Sequence, residues 1–159
     1  MKILGIDPGM ANCGWGVVEK FGSQYKLLGS GCVVSPASME DKDRLGQIFE
    51  IMSKLCVQYG IDIISIEQVF FAKNTSSAFK TSEVIGTAKI VAFLQKKVFI
   101  IVTPLQVKMA LTGYGRAEKF QIENMVKRFL NVSKPITPSH AADAVAIALT
   151  AGFISRSST

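Results

Sequence analysis

The sequence has little of what several classes of protein require. It carries one histidine, one tryptophan and three cysteines among 159 residues. The cysteines, Cys13, Cys32 and Cys56, are odd in number and far apart, so neither a disulfide framework nor a Cys/His metal site is predicted. We expect three reduced thiols in the core.

Long hydrophobic runs are also missing. The longest candidate, over residues 90–102, is interrupted by Gln95, Lys96 and Lys97, whereas a membrane span needs about 18 uncharged apolar residues. The first apolar run ends at Asp7, short of the roughly 7–15 residues of a secretory signal. We therefore predict a cytoplasmic protein with no membrane partner.

The composition is that of a folded chain. Hydrophobic residues make up 48% of the sequence and charged residues 19%, which excludes disorder. A chain of this length buries roughly 70% of the surface of its unfolded form. We predict a single α/β domain over residues 1–155 and a short flexible end, rich in serine, over residues 156–159.

Positive charge is concentrated in one part of the chain. Residues 73–134 contain eleven Lys or Arg and three Asp or Glu, whereas the remainder contains seven basic and nine acidic residues. A basic region beside an acidic one favours a polyanionic partner such as nucleic acid. The alternative is an ordinary solvated basic surface.

Apolar periodicity predicts three strands, followed by strands joined through helices. Because the first three strands form a meander and the later strands need crossovers, a mixed sheet with helices on its faces is expected. Ser139 is expected to cap the last helix. The predicted strands are 2–7, 14–19, 26–35, 61–66 and 98–102, and the predicted helices are 43–59, 75–97, 104–111, 117–130 and 139–154.

Acidic residues end two of the predicted strands. Asp7 ends the first strand and Glu67 follows the fourth, while His140 and Asp143 lie three positions apart in the first turn of the last helix. Clustered carboxylates repel one another unless a cation lies between them, and oxygen-rich clusters suit Mg²⁺ or Mn²⁺. Taken singly, Asp7 is also compatible with a turn acid, and Asp143 with an acid that stabilises a helix N-terminus.

Four segments carry a resemblance to a known family. GIDPG with GWGVV, then IEQVFFAKN, GYGRAEK and HAADAVAIAL occur in order between Gly5 and Leu149. They closely resemble the RuvC family, the crossover junction endodeoxyribonucleases that resolve four-way DNA junctions. The resemblance implies a ribonuclease H-like fold with a five-stranded mixed sheet flanked by helices. It also implies symmetric nicking of two strands of like polarity, leaving 5′-phosphate and 3′-hydroxyl ends.

The resemblance also implies site residues. Asp7, Glu67 and Asp143 match the family's acidic metal ligands, and His140 falls on a fourth ligand position where many members carry Asp. Two Mg²⁺ ions are implied, with Mn²⁺ as a possible substitute. Such a pair of ions can activate water and stabilise the leaving 3′ oxygen.

DNA contacts and partners follow from the same resemblance. Lys108 and Lys119 match basic positions near the junction backbone. Phe70 matches an aromatic that stacks on an unpaired base, with Phe71 the more buried of the pair, and Asn74 orients the same loop. A homodimer formed through the long helix after Thr75 is implied, as is action with the branch-migration proteins RuvA and RuvB.

Two other functions are compatible with part of this sequence. An actin-like sugar kinase or ATPase also carries a GIDxG phosphate loop, but such proteins use two domains and a second Asp-Gly loop. A non-catalytic junction-binding module would need the basic surface alone. The intact set of Asp7, Glu67 and Asp143 argues against that module, because a protein that only binds a polyanion has no use for clustered acids.

Overall fold

A computed structural model of the chain describes residues 1–68 and 75–155. Within these ranges the strands are β1 (Lys2–Asp7), β2 (Asn12–Phe21), β3 (Gln24–Val34), β4 (Ile63–Glu67) and β5 (Val98–Val102). The helices are α1 (Asp41–Tyr59), α2 (Thr75–Leu94), α3 (Pro104–Thr112), α4 (Lys119–Leu130) and α5 (Ser139–Ile154). The predicted order of elements is confirmed.

All five strands form one mixed sheet in the order β3-β2-β1-β4-β5. β1 pairs antiparallel with β2 and parallel with β4, and β4 pairs parallel with β5. The parallel pairing matches Ile6 with Ile66. The carboxyl ends of the two central strands therefore meet at one edge of the sheet.

The two faces of the sheet carry different helices. Leu4 and Ile6 pack in one buried cluster with residues of α1 and α2, whereas Ile3 packs in a second cluster with residues of α3, α4 and α5. This division follows from the alternation of side chains along a strand. Helix α5 is buried almost throughout, from Ala141 to Gly152, so it forms the centre of the second face.

One helix ends earlier than predicted. The sequence favoured a helix over residues 75–97, but α2 ends at Leu94. Lys96 adopts a left-handed backbone with φ of 53°, and the Lys97 amide donates to the Ala92 carbonyl at 2.8 Å. This arrangement is typical of a helix C-terminus. Glycine usually adopts the left-handed conformation, and because a lysine adopts it here, the sequence does not indicate where the helix ends.

All three cysteines are free thiols, but only two of them lie in the core as predicted. Cys13 and Cys56 are buried and Cys32 is half-buried. Burial raises the pKa of Cys13 to about 12 and that of Cys56 to about 11, so both stay protonated at neutral pH. Among the described helices, none combines the length and the apolar character that crossing a membrane requires.

Candidate active site

Two acidic side chains lie at the edge where β1 and β4 end. Asp7 is the last residue of β1 and Glu67 the last residue of β4. Both are half-buried, and both line a cavity of about 500 Å³ together with Asp143. The sequence predicted this meeting of strand ends, and the structure confirms it.

Glycines bring the start of α5 onto this edge. A Cβ atom on Gly14 would collide with the carbonyl oxygen of His140, and one on Gly5 would collide with the carbonyl oxygen of Ala144. Because hydrogen takes the place of a side chain at these strand positions, α5 packs directly on the backbone of β1 and β2. This close packing places His140 and Asp143 next to Asp7.

The resulting cluster is compact. His140 Nδ1 donates a hydrogen bond to Asp7 Oδ2 over 2.7 Å. Single ligand atoms from Asp7, His140 and Asp143 all lie within 4.8 Å of one another. Three of the four predicted ligands thus form one group, and Glu67 faces the same cavity from the neighbouring strand.

Burial and mutual repulsion make the acids reluctant to ionise. Desolvation raises the pKa of Glu67 to about 7, and the charges of Asp7 and Asp143 add to this effect. Desolvation also raises the pKa of Asp7, as does Asp143, although the hydrogen bond from His140 acts in the opposite direction. A cation among these groups would relieve the repulsion.

The donor set fits a hard divalent cation. Three carboxylates and one imidazole offer mainly oxygen ligands, which suit Mg²⁺ and Mn²⁺, and the nitrogen is well tolerated by Mn²⁺. Burial is the main cause of the raised pKa values of Asp7 and Glu67, and the charges of neighbouring carboxylates add to it. The arrangement is therefore chemically consistent with a metal-binding site.

Comparisons with known proteins agree with the family resemblance found in the sequence. The RuvC family, described as "Crossover junction endodeoxyribonuclease RuvC", matches residues 3–151. A relative of that name from Brevibacillus brevis is 43% identical over 94% of this chain and 90% of its own length. This chain belongs to the RuvC family. The family assignment and the predicted enzyme class, a crossover junction endodeoxyribonuclease, are thereby confirmed.

Solved structures of the family extend the match to three dimensions. The Thermus thermophilus RuvC structure superposes with a TM-score of 0.90 at 33% identity, covering 96% of this chain and 94% of that one. The same protein in complex with a Holliday junction substrate gives a TM-score of 0.91 at 33% identity, with coverages of 96% and 93%. The ribonuclease H-like fold that the resemblance implied is confirmed.

Lys119 pairs with one member of the acidic cluster in this RuvC-family protein. Its Nζ donates to Asp143 Oδ2 over 2.8 Å and to Ser139 Oγ over 2.6 Å. Lys119 is the first residue of α4, and the Gln121 side chain accepts a hydrogen bond from the Glu118 amide at this end of the helix. Sequence reasoning placed Lys119 near a phosphate but missed this ion pair.

The predicted capping role of Ser139 is wrong. Pro138 is the N-cap residue of α5, and it makes no side-chain capping bond. Ser139 is the first residue within the helix, one position too late for its hydroxyl to act as the N-cap acceptor. Its oxygen instead accepts the hydrogen bond from Lys119.

The other predicted DNA-binding residues have different outcomes. Lys108 is half-buried and lines the same cavity as Asp7 and Glu67. Arg116, which the sequence analysis quoted within GYGRAEK without assigning it a role, lines that cavity as well. Phe70, Phe71 and Asn74 lie outside the described residues, and their roles stay predictions.

Proposed function

We propose that this protein resolves four-way DNA junctions during recombination and repair. It nicks two strands of like polarity symmetrically and leaves 5′-phosphate and 3′-hydroxyl ends. The observation that carries this proposal is the cluster of Asp7, His140 and Asp143, with Glu67 beside it, in a RuvC-family chain. The RuvC relative from Thermus thermophilus, solved with a Holliday junction substrate, supports the choice of DNA.

Asp7, Glu67, His140 and Asp143 are the residues that would hold the metal. We propose Mg²⁺ as the ion, two per site, with Mn²⁺ as a substitute. When bound, such ions lower the pKa of water and neutralise charge on the attacking and leaving oxygens of a phosphodiester. The hydrogen bond from His140 Nδ1 fixes the orientation of the Asp7 carboxylate, which prepares it as a ligand.

The cations around the cluster draw the phosphodiester towards it. Lys119 holds its ammonium group 2.8 Å from Asp143, and Lys108 and Arg116 line the same cavity. A phosphate that enters the cavity exchanges its hydrogen bonds with water for hydrogen bonds with these three side chains. Such contacts position the backbone without reading its sequence.

The remaining DNA contacts rest on the resemblance. Phe70 stacks on an unpaired base at the junction centre, and Asn74 orients the loop that carries it. Stacking of this kind contributes about 1–3 kcal/mol per base.

A homodimer supplies the two active sites that symmetric nicking requires. Along α2, Ile90 is 56% exposed, Phe93 81% and Leu94 58%, while the inner face of the same helix is buried. Exposed apolar side chains on one helix favour a protein partner, and a second copy fits the two-fold symmetry of the reaction. We propose RuvA and RuvB as further partners and the cytoplasm as the place of action.

A cleavage assay tests this function. The protein is incubated with an end-labelled four-way junction, and separately with a linear duplex of the same sequence, in Mg²⁺ or in EDTA. We expect Mg²⁺-dependent nicks in two opposite strands of the junction only. Asp143→Asn should bind the junction without cutting it. Equal cutting of duplex and junction would refute the proposal, as would ATP binding without any nicking.

A further inference from the structure

Two oxygen atoms of helix α5 hold one ammonium group of helix α4. Lys119 Nζ donates to Ser139 Oγ over 2.6 Å and to Asp143 Oδ2 over 2.8 Å. Ser139 and Asp143 are four positions apart on α5, so their side chains lie on the same face of the helix. We call this contact of Lys119 with Ser139 and Asp143 the lysine clamp.

The Ser139 hydroxyl is not required by the helix to which it belongs. Pro138 is the N-cap residue of α5, so Ser139 does not cap the helix. Ser139 is exposed, and its hydroxyl therefore fills no space in the core. Over residues 1–68 and 75–155, its hydrogen bond with Lys119 is the only one that the hydroxyl makes. Its structural effect is to hold the Lys119 ammonium in place.

The lysine clamp engages a candidate metal ligand. Asp143 offers one ligand atom to the cluster that it forms with Asp7 and His140, and these atoms lie within 4.8 Å of one another. The Lys119 ammonium occupies one oxygen of the Asp143 carboxylate. Because like charges a few ångströms apart repel one another, this ammonium disfavours a divalent cation at the same carboxylate. Lys119 and the divalent cation therefore compete for Asp143.

The other cations of the cavity are not held in this way. Lys108 and Arg116 line the cavity with Lys119, but within residues 1–68 and 75–155 neither of them forms a salt bridge. In the pair that does form, the Lys119 side chain is 53% exposed and that of Asp143 is 39% exposed. Such a pair is weak enough to open when a stronger ligand for the carboxylate is present.

We propose that Ser139 is a positioning residue that holds Lys119 on Asp143, and that the lysine clamp lowers the affinity of the site for a divalent cation. The inference rests on the proposed function, because it concerns the same metal site. It adds a role for Ser139 and a competitor for the cation. The competing explanation is that Ser139 only joins α4 to α5, which predicts an effect on stability and none on metal affinity.

The first experiment measures the affinity of the full chain for Mn²⁺ without DNA, from the electron paramagnetic resonance signal of free Mn²⁺. Ser139→Ala removes the hydroxyl at constant charge and should bind Mn²⁺ about two- to fivefold more tightly, the range expected for loss of an exposed ion pair. Ser139→Thr keeps a hydroxyl and should match wild type. Lys119→Met should gain more affinity than Lys108→Met, since both remove one charge from the cavity but only Lys119 pairs with Asp143.

The second experiment uses wild type alone and does not depend on any variant folding. Limited acetylation of amines, followed by mass spectrometry of the peptides, measures how readily each lysine reacts. Because a divalent cation displaces the ammonium from Asp143, saturating Mg²⁺ should raise the reaction rate of Lys119 about twofold or more over EDTA. Lys26, an exposed lysine of β3, is the control and should react equally in both conditions. Equal rates at Lys119 with and without Mg²⁺ would refute the lysine clamp.

The possible results separate this inference from the proposed function. If wild type binds Mn²⁺ and cuts junctions but Ser139→Ala gains no Mn²⁺ affinity, the lysine clamp is refuted and the function stands. Equal gains for Lys119→Met and Lys108→Met also refute it, because net charge alone would then set the affinity. If Ser139→Ala gains affinity while no protein cuts a junction, the lysine clamp stands and the function fails. A lower melting temperature of Ser139→Ala with unchanged Mn²⁺ affinity leaves Ser139 only as a contact between helices.

Discussion

Neutralising Glu67 should stabilise the metal-free protein at high pH. Burial and the charges of Asp7 and Asp143 raise the pKa of Glu67 from 4.5 to about 7, so the folded state holds the proton more tightly than the unfolded state does. Stability from this group is fully present below pH 4.5 and is lost as the pH rises through 7. At pH 8 the folded protein carries the full free-energy cost of ionising Glu67 in its half-buried position. Glu67→Gln removes that cost.

The size of the effect follows from the pKa difference. A tenfold change in proton affinity corresponds to about 1.4 kcal/mol, so the difference between 4.5 and about 7 sets an upper value of about 3 kcal/mol. Because Glu67 is only half-buried, solvent screening lowers this value to about 1–2 kcal/mol. For a chain of this size, that is about 2–8 °C in melting temperature.

Thermal unfolding in EDTA at pH 4.5 and pH 8 measures this effect. Glu67→Gln should melt above wild type at pH 8 and level with it at pH 4.5, and adding Mg²⁺ at pH 8 should stabilise wild type more than the variant. Glu50→Gln is the control, because Glu50 is an exposed acid of α1 and should change stability by less than about 0.5 kcal/mol. Equal melting of Glu67→Gln and wild type at pH 8 would refute the repulsion argument.

Three further perturbations test the site. Gly14→Ala places a methyl group against the carbonyl oxygen of His140 and should cost about 1–3 kcal/mol in thermal unfolding, whereas Gly46→Ala meets open space and should be neutral or stabilising. His140→Asp should stay active with a smaller advantage of Mn²⁺ over Mg²⁺ than wild type in the cleavage assay, whereas His140→Ala should lose most cutting while keeping junction affinity. Lys119→Ala should lower the salt slope of junction binding by about 0.9; an unchanged slope would leave Lys119 only as the counter-charge of Asp143.

The strand-end acids could be predicted because their position depends on sheet geometry alone. Asp7 and Glu67 follow apolar strands, and parallel strands present their carboxyl ends at one edge. The helical spacing of His140 and Asp143 likewise places both on one face. These are local patterns, and the sequence displays them directly.

The contacts between helices could not be predicted in the same way. Lys119 meets Ser139 and Asp143 only because α4 and α5 pack side by side, and no local pattern records that packing. The role of Gly14 is similar, since its neighbour, the His140 carbonyl, is far away in sequence.

The most direct test of the central claim uses a supercoiled plasmid that extrudes one cruciform. Paired nicking across the junction by a dimer of metal centres should convert the plasmid to linear molecules in Mg²⁺, with hairpin ends that ligase seals without prior phosphorylation. Single nicks would instead give open circles, and 3′-phosphate ends would resist ligation. Linear, ligatable products are the predicted result; open circles alone, or ends that ligase cannot seal, would contradict the account.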